Sequence, residues 1–138
     1  MGREGSFVCV SAAQYEQAGA LRLALQQFTR ETELVARKHG LTSERYLLLL
    51  FIKLAANTDG GATVSDLATK LLLAKSTVTQ LVRRAEDLRL VRRELSDRDA
   101  RIRYLRLTHE GERRLAGVVT ELADDRVKLI DRLTHKLI

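Results

Sequence analysis

The chain has 138 residues, one domain's worth, and its 45% apolar and 30% charged side chains suffice for a core and argue against intrinsic disorder. Twenty-four basic against eighteen acidic residues give a net charge of +6 at pH 7. No apolar run approaches the ~20 residues that a membrane-spanning helix needs, the longest, Tyr46 to Ile52, being stopped by Lys53. Met1-Gly2-Arg3-Glu4-Gly5 is charged and is not followed by the apolar core of an export signal, so a cytoplasmic protein with no membrane partner is expected. Cys9 has no second cysteine to pair with, and His39, His109 and His135 are too dispersed for a zinc site, so neither a metal nor a cofactor is expected.

With no proline in the chain, helices are limited only by caps, glycines and apolar pattern. From Ala12 to about Lys38, Leu21, Leu25, Phe28 and Val35 form one helical stripe, and Gly40 ends it. Thr42-Ser43-Glu44 then opens a second helix, Ser43 to about Asn57, whose run Leu47 to Ile52 is apolar on most sides and belongs at the centre of a core. Asp59-Gly60-Gly61 is a break. Thr63-Val64-Ser65-Asp66 has the spacing of a capping box and predicts a short third helix, Val64 to Leu71. A fourth, Ser76 to Arg89, gathers Val78, Leu81, Val82, Ala85 and Leu88 on one face and leaves Ser76, Gln80 and Arg83 opposite, with Thr77 and Arg84 on the flank.

Two short segments, Leu90 to Leu95 and Arg103 to Thr108, read as a β-hairpin whose loop, residues 96–102, alternates acid with arginine and projects. Thr108 caps a last helix, in which Leu115, Val118, Val119, Leu122, Leu129, Ile130, Leu133 and Leu137 continue a stripe to the chain end, interrupted at Asp124-Asp125-Arg126. The fold class expected is mainly α with a small β-hairpin. It is a winged helix-turn-helix lobe over residues 42–108 with long dimerisation helices at 12–40 and 109–138.

The positive charge is not spread evenly. Residues 70–106 hold eleven basic and five acidic side chains, and the rest of the chain holds thirteen of each, so this stretch carries the whole excess. Nine of its eleven cations are arginine, whose planar fork suits phosphate oxygens and guanine edges. Two short helices followed by a hairpin place the second helix in a major groove of double-stranded DNA. There the small hydroxyls of Ser76 and Thr77 permit close approach to the backbone, Gln80 and Arg84 are long enough to reach adenine or guanine edges, and Lys75 and Arg83 are further residues expected to contact DNA. Arg98, Arg101 and Arg103 on the narrow hairpin suit a minor groove, with Asp99 orienting Arg101. A solvated basic face is the bland alternative for the charge alone; its position beside a basic hairpin favours groove binding.

In this order the residues resemble the MarR family of bacterial transcription regulators. The marks are Leu41-Thr42, Ser65-Asp66-Leu67-Ala68, Ser76-Thr77-Val78-Thr79-Gln80-Leu81-Val82, Leu90-Val91-Arg92-Arg93, Asp99-Ala100-Arg101, and Leu105-Arg106-Leu107-Thr108 with Gly111. The resemblance covers nearly the whole chain. It implies a homodimer joined through its first and last helices, binding a palindromic operator with one recognition helix per half-site. It further implies an effector, often a small aromatic or anionic molecule, that loosens the DNA complex. The stripes support dimerisation independently, because two long amphipathic helices carry more apolar surface than one winged helix covers. Leu21, Leu25, Phe28, Leu122, Leu129, Leu133 and Leu137 are the residues expected to form that interface.

Three positions depart from the family pattern. Ala74 stands where a hydroxyl usually caps the recognition helix, so either Ser76 substitutes or the cap is missing and the helix starts late. Arg89 stands where glycine is common before the hairpin and accepts either a positive φ or a different turn. Arg83 replaces an acid and raises the local charge.

The reading is therefore a dimeric repressor released by a small effector. The alternatives are a winged-helix module that binds protein or RNA, and a regulator switched by oxidation of Cys9, which otherwise reads as an incidental or buried small hydrophobe. No base, nucleophile and orienting partner recur in a catalytic pattern, so no enzyme is expected.

Overall fold

A computed structural model describes residues 8–58 and 60–135. Met1 to Gly5, Asp59 of the expected break and Leu137 of the expected terminal stripe lie outside them. The elements run α1 (Ala12–Lys38), α2 (Ser43–Thr58), α3 (Val64–Leu71), α4 (Lys75–Asp87), β1 (Val91–Leu95), β2 (Arg103–Leu107), α5 (His109–Glu121) and α6 (Ala123–His135).

Local chemistry accounts for most of the boundaries. The Ser11 hydroxyl accepts from the Gln14 amide at 3.3 Å while the Gln14 side chain accepts from the Ser11 amide, so α1 begins on a reciprocal cap. It ends where Gly40 takes φ +74° and the Leu41 amide donates back to the Ala36 carbonyl at 2.9 Å. The Thr42 hydroxyl accepts from the Arg45 amide at the head of α2. Thr63 and Asp66 form the expected capping box on α3, and Thr108 caps α5 by accepting from the Gly111 amide. Gly111 itself is required: a Cβ there would lie 2.2 Å from the Leu90 carbonyl oxygen.

Residues 32–122 form one compact unit, wider than the 42–108 read as the DNA-binding lobe. Its core explains the extra length. Leu48, Leu49 and Ile52 of α2 lie at the centre with no exposed surface, and Val35 and Ala36 of α1 and Leu115 and Val118 of α5 are buried in the same cluster. The hairpin pairs Val91 with Leu107, Arg93 with Leu105 and Leu95 with Arg103. Its buried Leu105 also bridges to Ala62, donating from its amide at 2.8 Å, which pins the hairpin to the segment before α3.

Residues 1–31 and 123–138 make the second unit. Among its described residues only Ala24 is buried, and the Arg132 guanidinium donates to the Gln27 side chain at 3.2 Å.

Two expectations need correction. The last helix is not continuous: α5 ends at its cap, Leu122, and α6 starts at Ala123 with Asp124 and Asp125 in its first turn, where acids favour the positive end of a helix. Leu122, expected at a dimer interface, is 1% exposed and belongs to the core of the 32–122 unit. Its side chain is taken up in packing against its own lobe.

Candidate nucleic-acid interface

The turn between α3 and α4 is made by Leu72, in the left-handed region at φ 57°, with the Leu73 amide donating to the Ala68 carbonyl at 3.1 Å. Nothing in the sequence pattern marked Leu72 for that conformation, which glycine adopts without steric cost. Its side chain is 89% exposed, so packing does not compensate. Ala74 follows in extended backbone, and α4 starts at Lys75 with no side-chain cap. Thus the cap is missing, Ser76 does not replace it, and the helix nevertheless starts early. The uncapped amides of its first turn remain as donors for an anion.

Along α4, Val78, Val82 and Ala85 have no exposed surface, which fixes the rotation of the helix in its lobe. Ser76, Gln80 and Arg83 lie on the opposite side, Thr77 and Arg84 on the flank and Lys75 at the first position of the helix, and all six are exposed. The Thr79 hydroxyl is turned back onto the Lys75 carbonyl at 2.9 Å. The helix stops at Asp87, two residues before the expected end, because Arg89 takes φ 60° while its amide donates to Glu86 and the Leu90 amide donates to Ala85. Of the two turns left open for Arg89, the chain uses the positive φ. The Thr108 hydroxyl holds it by donating to the Arg89 carbonyl at 2.6 Å.

The hairpin tip is shaped by short-range hydrogen bonds. The Ser96 hydroxyl accepts from the Arg98 and Asp99 amides, and the Ile102 amide donates to the Asp99 carbonyl at 3.0 Å. Asp99 holds Arg101 as expected: the guanidinium donates to both carboxylate oxygens at 3.1 Å and the Arg101 amide adds a third bond at 3.0 Å. The Arg101 side chain, followed by its amide, keeps the Asp99 carboxyl below its ordinary value, and the same pairing raises Arg101. The Arg101 side chain remains 90% exposed, so it is oriented without being withdrawn.

The arginines of this region separate into two sets that their sequence alone does not distinguish. Arg93 donates to both oxygens of Glu86, at 3.0 and 3.2 Å, and ties β1 to the end of α4. Arg92 and Arg106 share Glu94. Among the described residues, Lys75, Arg83, Arg84, Arg98 and Arg103 make no ion pair and are exposed, so their charge is available to a polyanion.

The residues expected at a dimer interface are distributed unevenly. Leu21 and Leu25 are exposed on α1 and Phe28 is half-buried, while Leu129 and Leu133 are half-buried on α6. Cys9 is exposed, just before the cap of α1. Among the described residues no helix is long and apolar enough to cross a membrane, and no group of three His, Cys, Asp or Glu side chains could hold a metal ion.

A buried-faced recognition helix after a short helix and turn, followed by an arginine-tipped hairpin, defines a winged helix-turn-helix. Residues 39–102, a little under half of the chain, match the model of the MarR family. No curated protein matches the chain. Among solved structures, the transcription regulator MarR from Oenococcus oeni is 23% identical, covers 88% of this chain and 86% of its own, and superposes with a TM-score of 0.68. The S. aureus MepR-DNA complex is 19% identical over 85% of this chain and 82% of that one, with a TM-score of 0.71. S. aureus MepR bound to ethidium bromide is 21% identical over 81% of each chain, with a TM-score of 0.59. These likenesses establish the fold.

Proposed function

We propose that the chain is a sequence-specific, DNA-binding transcriptional regulator, a cytoplasmic homodimer that represses from a palindromic operator and is released by a small effector. The observation that carries the reading is the division of α4, with Val78, Val82 and Ala85 buried and Lys75, Ser76, Thr77, Gln80, Arg83 and Arg84 all facing solvent. In the major groove, Ser76 and Thr77 approach the backbone, Gln80 and Arg84 read base edges, and Lys75 and Arg83 take phosphates. Arg98, Arg101 and Arg103 of the wing enter the neighbouring minor groove. Binding rather than catalysis is the activity.

The solved complex of S. aureus MepR with DNA supports the choice of partner, and its structure with ethidium bromide supports a small-molecule effector. Dimerisation is supported by the sparse burial of the 1–31 and 123–138 unit, where Leu21, Leu23, Leu25, Val127 and Ile130 stay exposed and a second copy would cover them. Gln80→Ala should weaken binding to the selected operator by about 1–3 kcal/mol while leaving random duplex unchanged. Equal losses on both DNAs, measured by fluorescence anisotropy at one stated salt concentration, would remove base reading from the account.

A further inference from the structure

Tyr104 and Arg106 lie on the side of β2 away from the buried Leu105, and the strand register sets Glu94 and Arg92 of β1 opposite them on that same side. The Arg106 side chain crosses the ribbon there. Its Nη2 donates to the Gly60 carbonyl, its Nε lies 3.6 Å from a Glu94 carboxylate oxygen, and its guanidinium carbon stands 5.7 Å from the centre of the Tyr104 ring. One side chain therefore joins β1, β2 and the segment between α2 and α3. Only 23% of it is exposed, against 90% for Arg101.

The segment before α3 is shaped to receive this strap. A Cβ on Gly61 would lie 2.5 Å from Arg106 Nη1 and 2.6 Å from the Tyr104 Cβ, so any larger residue would push the two side chains away. Between Tyr104 and Arg106, the Leu105 amide donates to the Ala62 carbonyl at 2.8 Å, so backbone and side chain tie the same two segments. A planar guanidinium serves partners at both of its ends at once, which the point charge of an ammonium does not. A two-stranded ribbon is marginal on its own, so the direction of its tip depends on how its base is held.

We propose that Arg106 is a positioning residue for the wing: it meets no DNA itself, and by strapping β1 and β2 to Gly60 it keeps Arg101 and Arg103 aimed at the minor groove. Its charge, one of the eleven cations in residues 70–106, is spent on Glu94 and the Tyr104 ring. The proposal rests on the DNA-binding reading for the consequence of the strap and not for the strap itself. It complements the Arg93–Glu86 pair, which ties the same ribbon to α4.

The test uses the full chain in two arms, with Arg106→Met, which keeps a flexible apolar side chain beside Tyr104 and removes the guanidinium. In the free protein, amide hydrogen exchange at Leu105 should speed up at least about fivefold more than at Val82 of α4, whose retained protection shows that the variant is folded. On a duplex selected by the wild-type chain, Arg106→Met should weaken binding about three- to tenfold, and Arg101→Ala should lose most of its own effect in that background. Arg106→Lys should recover little, whereas a phosphate contact would accept the ammonium. Unchanged relative exchange at Leu105, independent losses from Arg106→Met and Arg101→Ala, or full recovery by Arg106→Lys would each overturn the proposal. Failure of the wild-type chain to select any duplex, with Leu105 exchange accelerated in Arg106→Met, would instead count against the DNA reading and uphold the strap.

Discussion

Leu72 and Arg89 hold left-handed backbone at φ 57° and 60°, a conformation that costs an L-residue roughly 1–2 kcal/mol through the approach of Cβ to the carbonyl. The Arg89 position could be anticipated, since it stands where a glycine-type turn is needed between a helix and a strand. Leu72 could not, because it lies within Leu71-Leu72-Leu73 and reads as a continuation of an apolar run. Leu72→Gly should raise stability by about 0.5–1 kcal/mol in urea unfolding, the relieved strain exceeding the entropy that glycine adds to the unfolded chain. An unchanged or lower midpoint would mean that Leu72 makes a contact its exposure conceals.

The arginines provide a second residue-scale prediction. If the unpaired set meets phosphates, Arg103→Ala should reduce the magnitude of the slope of log K against log salt by about 0.9 for the DNA contact removed. Arg93→Ala, which breaks the strut to Glu86, should leave that slope unchanged and act through the position of α4 instead. Charge counting in the sequence placed both arginines in one basic stretch; only the partner of each separates strut from contact.

At the scale of elements, the helices were legible because the 3.6-residue apolar period agrees with hydroxyl caps at α2, α3 and α5, and the period by itself was enough for α1 and the uncapped α4. What escaped was the division between α5 and α6, since the leucine stripe runs through it and Leu122 fits the period of either helix. Asp124 and Asp125 were the available signal, as acids in a first turn mark a helix start. The end of α5 is tied to the end of α1 by Glu121, whose two oxygens meet the His39 ring nitrogen and the Lys38 ammonium, each at 3.0 Å. Close packing supports this contact, because a Cβ on Gly117 would stand 2.4 Å from the His39 ring.

The His39 hydrogen bond, then that of Lys38, holds the Glu121 carboxyl below its ordinary value of 4.5. A carboxyl depressed in the folded state contributes stability that is fully present above the unfolded value and lost as pH falls through the folded one. Glu121→Gln should therefore flatten the fall in stability below about pH 4.5. Parallel acid limbs for wild type and variant, measured by thermal unfolding across that range, would show that the contact contributes nothing.

For the whole molecule, the division of labour between the two units is the proposal from which regulation follows. The 32–122 unit has a fully buried core and fixes the reading helix, whereas the 1–31 and 123–138 unit buries only Ala24 among its described residues. A second copy is the occupant that symmetry favours for such helices, and two-fold pairing would set two reading helices in matching phase on one face of the duplex. Composition and charge pointed to a polyanion partner and periodicity to unpaired helices. The operator was not legible, because base choice depends on the reach of a few exposed side chains rather than on any pattern along the chain. Selection of bound fragments from a random duplex pool, at fixed salt, tests the central claim most directly. The account predicts enrichment of one two-fold symmetric sequence, lost in Gln80→Ala; enrichment of no sequence, or of one with no symmetry, would contradict it.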